Sequence, residues 1–308
     1  MRGYILKRIL QTLPTLFGVT LLTFFLFSVV GGSPAALVLG KNASAEALAE
    51  YDHQFGYDRP LVVQYLSYLG DLFRGDFGES IEYKIPDWSV LRDGVGVSLS
   101  LTVPILILGT VLALSIGLLC AAHAGKRFDR WMLGGTTVLM SVNYVIWVTA
   151  GQYFLAYRLA LFPLWGFANW TYLLLPVLIG VVSGLGPDAR FYRTVVLDEM
   201  RKPYVRTAIA KGLSPTRILF LHILKNSLVP VVTNVSLAVP FLFTGSILLE
   251  SFFGIPGLGG IGLNAVNASD FPTLRAVVVL GAVLYQISNL LADLICAWID
   301  PQIRLVER

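Results

Sequence analysis

Long apolar runs recur along this chain, separated by shorter polar or charged stretches. A helix that crosses a bilayer needs about 20 mostly apolar residues. Runs of that character cover residues 9–30, 97–122, 131–157, 226–249 and 273–298, with a shorter one at 171–186. Pro176, Gly180, Gly184 and Gly186 interrupt the short run, and membrane helices tolerate such residues where neighbouring helices satisfy the freed backbone groups. The first run follows Arg2, Lys7 and Arg8. It is longer than the roughly 7–15 residue apolar core of a cleaved signal, so it reads as an uncleaved first helix. The pattern therefore predicts an all-α polytopic membrane protein with six transmembrane helices.

Composition agrees. Of the 308 residues, 56% are hydrophobic and 14% charged, and the mean hydropathy is +0.71. Soluble domains carry about 25% charged residues, so too little polar surface is present for an ordinary cytosolic, secreted or disordered protein. Cys120 and Cys296 both fall inside apolar runs, which is not the pattern of a disulfide framework.

Charge placement sets the expected topology. With six crossings, sixteen of the 23 Lys and Arg fall on one face, in the N-terminus, residues 126–130, residues 190–225 and the C-terminus. The other face holds Lys41, Arg59, Arg74, Lys84 and Arg92 among ten acids between Glu46 and Asp93, and Arg158 and Arg275 sit at helix ends facing it. The positive-inside rule then places both termini in the cytoplasm. If 171–186 failed to cross, the eight basic residues of 190–225 would lie outside.

This topology organises the chain as residues 1–96, a first transmembrane helix plus an external segment; 97–300, a five-helix core with a cytoplasmic loop at about 198–225; and 301–308, a cytoplasmic tail. The external segment predicts short helices at 44–55 and 61–73. In the second, Leu61, Val62, Tyr65, Leu66, Leu69 and Leu72 form a stripe expected to pack on the outer ends of the spans. A structured loop and a direct binding surface are both compatible with it. The inner segment predicts helix, turn, helix. Pro203 suits a first helical turn, Gly212 a left-handed C-cap, and Ser214-Pro215 an N-cap followed by the first residue of the next helix. A basic segment held by anionic lipid is the alternative reading of its charge.

Within it, Tyr204-Val-Arg-Thr-Ala-Ile-Ala-Lys-Gly-Leu-Ser214 resembles the EAA loop of ABC importer permeases, and more narrowly the dipeptide/oligopeptide/nickel branch. Ala208 and Gly212 stand at the general pattern's Ala and Gly, Arg206-Thr207 where other branches carry Glu-Ala, and Pro230 at its downstream proline. Further similar stretches are Asp58-Arg-Pro-Leu61, Leu72-Phe-Arg-Gly-Asp-Phe-Gly-Glu-Ser80, Glu250-Ser-Phe-Phe-Gly-Ile-Pro-Gly-Leu-Gly259 and Asp300-Pro-Gln-Ile-Arg304. Two features depart from the family: Gly260 stands where many relatives carry Arg, and the external loop after the third span is brief.

The resemblance implies a type I ABC importer permease in a bacterial inner membrane. It would form half of the translocation pathway for peptides or similar small solutes, with nickel as the alternative cargo. Implied partners are a second homologous permease subunit, two ATPase subunits, an external substrate-binding protein and membrane lipid. It also implies that Tyr204, Arg206, Thr207, Ala208, Lys211, Gly212 and Leu213 couple this chain to an ATPase. Glu250, Pro256, Gly257, Gly259 and Asp293 are candidates for structural or gating roles, since ionisable residues at membrane depth are functional candidates. Asn143, Gln152, Asn234, Gln286 and Asn289 could line a polar path or hydrogen-bond between helices.

Other chemistry finds no support. The chain carries no G-x-x-x-x-G-K-[ST] phosphate loop, so ATP and Mg are expected to be used by partner subunits, with no cofactor bound here. His53, His123 and His222 are scattered and show no metal-ligand spacing. An intramembrane enzyme would need a catalytic pair at membrane depth, and none is present. A receptor without transport would have no need of a capped hairpin. Positive-inside bias explains the basic charge without nucleic acid.

Overall fold

The computed structural model describes residues 2–30, 35–40, 43–243 and 246–299. The described residues are helical nearly throughout. Helix α1 is Arg2–Phe24, α2 Ala35–Leu39, α3 Ala45–Phe55, α4 Leu61–Phe73, α5 Asp87–Ala122, α6 Arg127–Ser141, α7 Tyr144–Gly151, α8 Thr171–Met200 and α9 Pro203–Ala210. Helix α10 runs Pro215–Leu242, α11 is Ile247–Phe253, α12 Leu258–Ala268 and α13 Phe271–Ile299. Wide π-helical turns follow α1 and α7, and one lies inside α10 at Ile218–Leu224.

Among the described residues, five helices are long and apolar enough to cross a membrane: Leu10–Ser28, Asp87–Ala122, Thr171–Met200, Pro215–Leu242 and Phe271–Cys296. Two bent pairs bring the number to as many as 7, a range that includes the expected six. The apolar run at 131–157 is not one rod, because α6 and α7 meet at 89°. Asn143 causes the break: its backbone is extended, and its side chain accepts from the Val145 N–H at 2.9 Å, capping α7. The second pair, α11 and α12, is bent by 74°. Consequently the fifth span ends at Leu242, and Glu250 belongs to the separate short helix α11.

Other boundaries also moved. Helix α8 continues past Gly186 to Met200 although Pro187 lies inside it, so residues 188–200 extend a span rather than begin a loop. Helix α10 begins at Pro215 and carries straight into the fifth span. The short outer helices form where expected, α3 with Ser44 as N-cap and α4 over Leu61–Phe73. Only part of the α4 stripe packs, however. Tyr65 and Tyr68 are buried against Phe24 and Val279, whereas Leu61, Val62 and Leu66 are exposed.

Helices α5 and α8 form the centre of the bundle, pressed together through small residues. A β-carbon on Gly117 would lie 2.8 Å from the Arg193 N, and one on Gly180 2.6 Å from the Ile105 Cδ1. Close backbone approach of this kind substitutes for the hydrophobic effect inside lipid. Leu101, Val148, Leu175, Ile179, Leu249 and Phe253 then join α5, α7, α8 and α11 in one apolar cluster. The stretch 300–304 lies outside the described residues.

Candidate coupling hairpin and buried carboxylate site

The hairpin between α8 and α10 is built almost entirely from local signals. Pro203 opens α9 and Ala210 ends it. The chain then turns through Gly212 at φ 74°. The Gly212 N–H donates to the Ile209 carbonyl at 2.9 Å and the Leu213 N–H to that of Ala208 at 3.3 Å, the paired bonds of a Schellman closure. Ser214 caps the next helix by accepting from the Arg217 N–H at 3.4 Å. At Gly212 nothing would obstruct a β-carbon. The left-handed backbone alone selects glycine there.

One face of α9 is seated. Val205 and Ala208 are buried in a cluster with Ala121, Val196, Ile218 and Ile223. The Tyr204 hydroxyl donates to Glu199 Oε1 at 2.7 Å, and Lys202 pairs with Glu199 Oε2 at 2.6 Å. Burial, and then the bond to Glu199, push the Tyr204 phenol above its usual pKa. The other face is open: Arg206, Thr207 and Lys211 are exposed. Half-buried Leu213 helps line an apolar recess of about 610 Å³ with His123, Met200, Ile209, Pro215 and Leu219. Arg201, Arg206, Lys211 and Arg217 make no ion pair among the described residues.

Sequence reasoning missed an anchor on α8, the helix that leads into this hairpin. Asp129, 2% exposed, accepts from Arg193 Nε and Nη2, both at 2.7 Å, and from the Gly125 N–H at 2.9 Å. This fork ties the turn after α5 to α8. Arg190 bonds Thr136, Thr137 and the Leu133 carbonyl on α6. The signal was available as a lone acid within the basic 126–130 turn, but its partner lies 64 residues away.

The far end of α10 holds the second site. Glu250 is completely buried. Oε1 accepts from Ser98 Oγ at 2.8 Å and the Ser246 N–H at 3.2 Å, and Oε2 from the Gly260 N–H at 2.9 Å. Ser98 in turn accepts from the Leu258 N–H at 2.9 Å. The carboxylate therefore caps α12 from outside it, where the helix dipole favours negative charge. The glycines make room. A β-carbon on Gly257 would lie 2.4 Å from Glu250 Cδ, and one on Gly259 2.9 Å from Oε2. At Gly260 it would lie 2.9 Å from the Ile255 carbonyl oxygen. Pro256 is exposed at the turn.

Asp293 is not part of this group. It lines a polar cavity of about 210 Å³ between α1 and α13 with Gln11, Thr12, Thr15, Gln286 and Asn289. The other polar candidates are likewise dispersed: Gln152 donates to the Phe252 carbonyl at 2.8 Å, and Asn234 to the Tyr192 hydroxyl at 3.3 Å. Among the described residues no cluster of His, Cys, Asp or Glu could hold a metal ion.

Comparison with known proteins fits this architecture. Residues 113–305 match the family model described as binding-protein-dependent transport system inner membrane component, and residues 1–101 match its N-terminal companion. A probable peptide ABC transporter permease of Sinorhizobium fredii is 32% identical, the match covering 98% of this chain and 99% of the relative. A dipeptide transport system permease of Lactococcus lactis is 33% identical over 98% and 99% of the two chains. A glutathione transport system permease of Salmonella typhimurium is 33% identical over 99% of each. Among solved structures, the inward-facing MetNI methionine ABC transporter superposes with a TM-score of 0.58 at 19% identity, over 68% of this chain and 96% of that one, a likeness of fold. A multi-pass helical chain matched over nearly its whole length by transport permeases thus belongs to the binding-protein-dependent transport system inner membrane components of bacteria.

Proposed function

We propose that this chain is a permease subunit of an ABC importer and supplies half of the translocation pathway for peptides or similar small solutes. The named cargoes of its relatives support the peptide class. An external binding protein delivers the solute, a second homologous permease completes the pathway, and two ATPase subunits hydrolyse ATP with Mg. The chain itself is not an enzyme. Both termini and the hairpin face the cytoplasm, and the α3–α4 segment faces outside.

In this reading α9 is the coupling helix. The observation that carries it is the continuity of the hairpin with two spans. Helix α8 leads into it, α10 leads out, and the Schellman turn and Ser214 cap leave little slack between them. Movement imposed on α9 therefore passes into both spans as a rigid body. Exposed Arg206 and Lys211 offer charge to an acidic partner surface, and the neighbouring recess offers an apolar seat. Tyr204, Ala208 and Leu213 hold the helix in place, while Thr207 lies on its free face. Glu250 with Gly257 and Gly259 is a structural hub at the outer rim.

Affinity purification of the tagged chain from native membranes in mild detergent, followed by mass spectrometry, tests this directly. Recovery of a second permease and ATPase subunits is expected. A partnerless chain under several gentle conditions would refute it. Single cysteines at Ser44 and Ser214, in a background lacking Cys120 and Cys296, should label from opposite faces; labelling from one face would overturn the topology.

A further inference from the structure

Away from both sites, a polar cavity of about 130 Å³ opens where α1, α4 and α13 meet. Ser28, Tyr57, Arg59, Ser67, Asp71 and Arg275 are among its walls. Arg275 is half-buried, and its guanidinium carbon stands 4.6 Å from the centroid of the Tyr68 ring. Arg59 folds across Gly56, where a β-carbon would lie 3.1 Å from its Nε. Neither guanidinium makes an ion pair among the described residues. Tyr68, itself buried, forms part of the same wall. A partly desolvated cation without an anion is costly, and a guanidinium fork fits carboxylate or phosphate oxygens. The cavity thus turns two guanidinium groups toward any anion that enters it.

Its depth and charge identify the kind of anion. Ser28 closes the apolar stretch of the first crossing, Leu10–Ser28, and Arg275 lies near the start of the last, Phe271–Cys296. The cavity therefore sits where two spans reach the bilayer surface, at the level of lipid headgroups. Helix α4 turns Gln64, Ser67 and Asp71 to it, at spacings that share one helical face, and leaves Val62 and Leu66 exposed as apolar surface suited to the interface. In the lining Arg59 and Arg275 stand against Asp71, and Asp87 also lies within electrostatic reach of Arg275, so the small surplus of positive charge suits a monoanionic phosphodiester better than a phosphate dianion.

We propose that this cavity binds the phosphodiester headgroup of a membrane phospholipid. Arg59 and Arg275 hold the phosphate oxygens, and Asp71 accepts from a headgroup hydroxyl or ammonium. The bound lipid then fastens the outer helix α4 to the first and last spans.

The test is native mass spectrometry of the purified, delipidated transporter after incubation with phosphatidylglycerol, phosphatidylethanolamine or inorganic phosphate. The wild type should retain one more phospholipid per copy of this chain than Arg275→Gln or Arg59→Gln, whose affinity for it falls about tenfold. Arg275→Lys should recover part of the binding. Arg59 is exposed, so its variant reports on the site without disturbing the core. Millimolar inorganic phosphate should fail to displace the lipid. Displacement by phosphate, or phosphate binding that is lost in Arg275→Gln, would uphold the anion site and assign it to the free ion. Equal lipid retention in wild type and both variants, with no phosphate binding, would overturn it.

Discussion

At one end of α10, α9 presents exposed Arg206, Thr207 and Lys211 beside an open apolar recess of about 610 Å³. At the other, Glu250 has no exposed surface and both carboxylate oxygens accept hydrogen bonds. A helix of 28 residues separates the two, about 42 Å at 1.5 Å per residue. The first site is fixed by its own chain neighbours and keeps a free face; the second joins near partners, Ser246 and Gly260, to a distant one, Ser98, and has no free face. A surface that must receive another protein needs local rigidity with unsatisfied exterior chemistry. A site that must hold three helices in register needs the reverse.

The largest effect is expected at Gly212. Gly212→Val forces a β-branched residue into the left-handed region, at a cost of roughly 1–2 kcal/mol or more. It touches no neighbour, so membrane insertion should persist while transport is abolished, measured as solute uptake beside a surface-expression control. Wild-type uptake would show that the turn does not couple. Where Gly212→Val acts chiefly on transport, the largest loss of stability is expected from Asp129→Asn, which leaves Arg193 without its charge partner and costs about 3 kcal/mol, read from denaturant unfolding in micelles. An unchanged midpoint would mean that the fork contributes little.

At the Glu250 end, Gly257→Ala places a methyl group 2.4 Å from Glu250 Cδ and should destabilise by about 1–3 kcal/mol. Ala at Gly212 should cost less, since only the backbone is strained there. The smallest effect concerns pH. Burial works to raise the Asp270 pKa, but hydrogen bonds from Ser80 and Thr273, with the N–H groups of Thr273 and Glu82, hold it below the usual carboxylate value. A folded-state pKa that is lowered contributes stability above the unfolded value and loses it as pH falls through the folded one. The stability advantage over Asp270→Asn should therefore fade below about pH 4. A constant difference across that range would contradict the assignment.

These contrasts also explain what could be read from sequence. The spans were legible because apolar length has few other causes, and the α9 hairpin because Pro203, Gly212, Ser214 and Pro215 are each local signals with a local mechanism. The bend at Asn143 was hidden inside an apolar run, where one capping residue outweighed the surrounding pattern. The extension of α8 to Met200 was hidden because residues 188–200 are polar on the outside and buried only at positions such as Ala189, Tyr192 and Val196. Glu250 could be singled out beside its glycines, but its partner Ser98 lies 152 residues away, and no local rule joins them. The same distance hid Asp129 from Arg193.

The most direct measurement is a cross-link from the free face of α9. In the assembled transporter, with Cys120 and Cys296 replaced by alanine, Thr207→Cys carries a short bifunctional thiol-to-amine reagent, and Ser44→Cys serves as the outer control. The expected product joins this chain to an ATPase subunit from position 207 and never from position 44. An assembly that is active and intact, yet gives no ATPase adduct from 207, would contradict the coupling role of the hairpin.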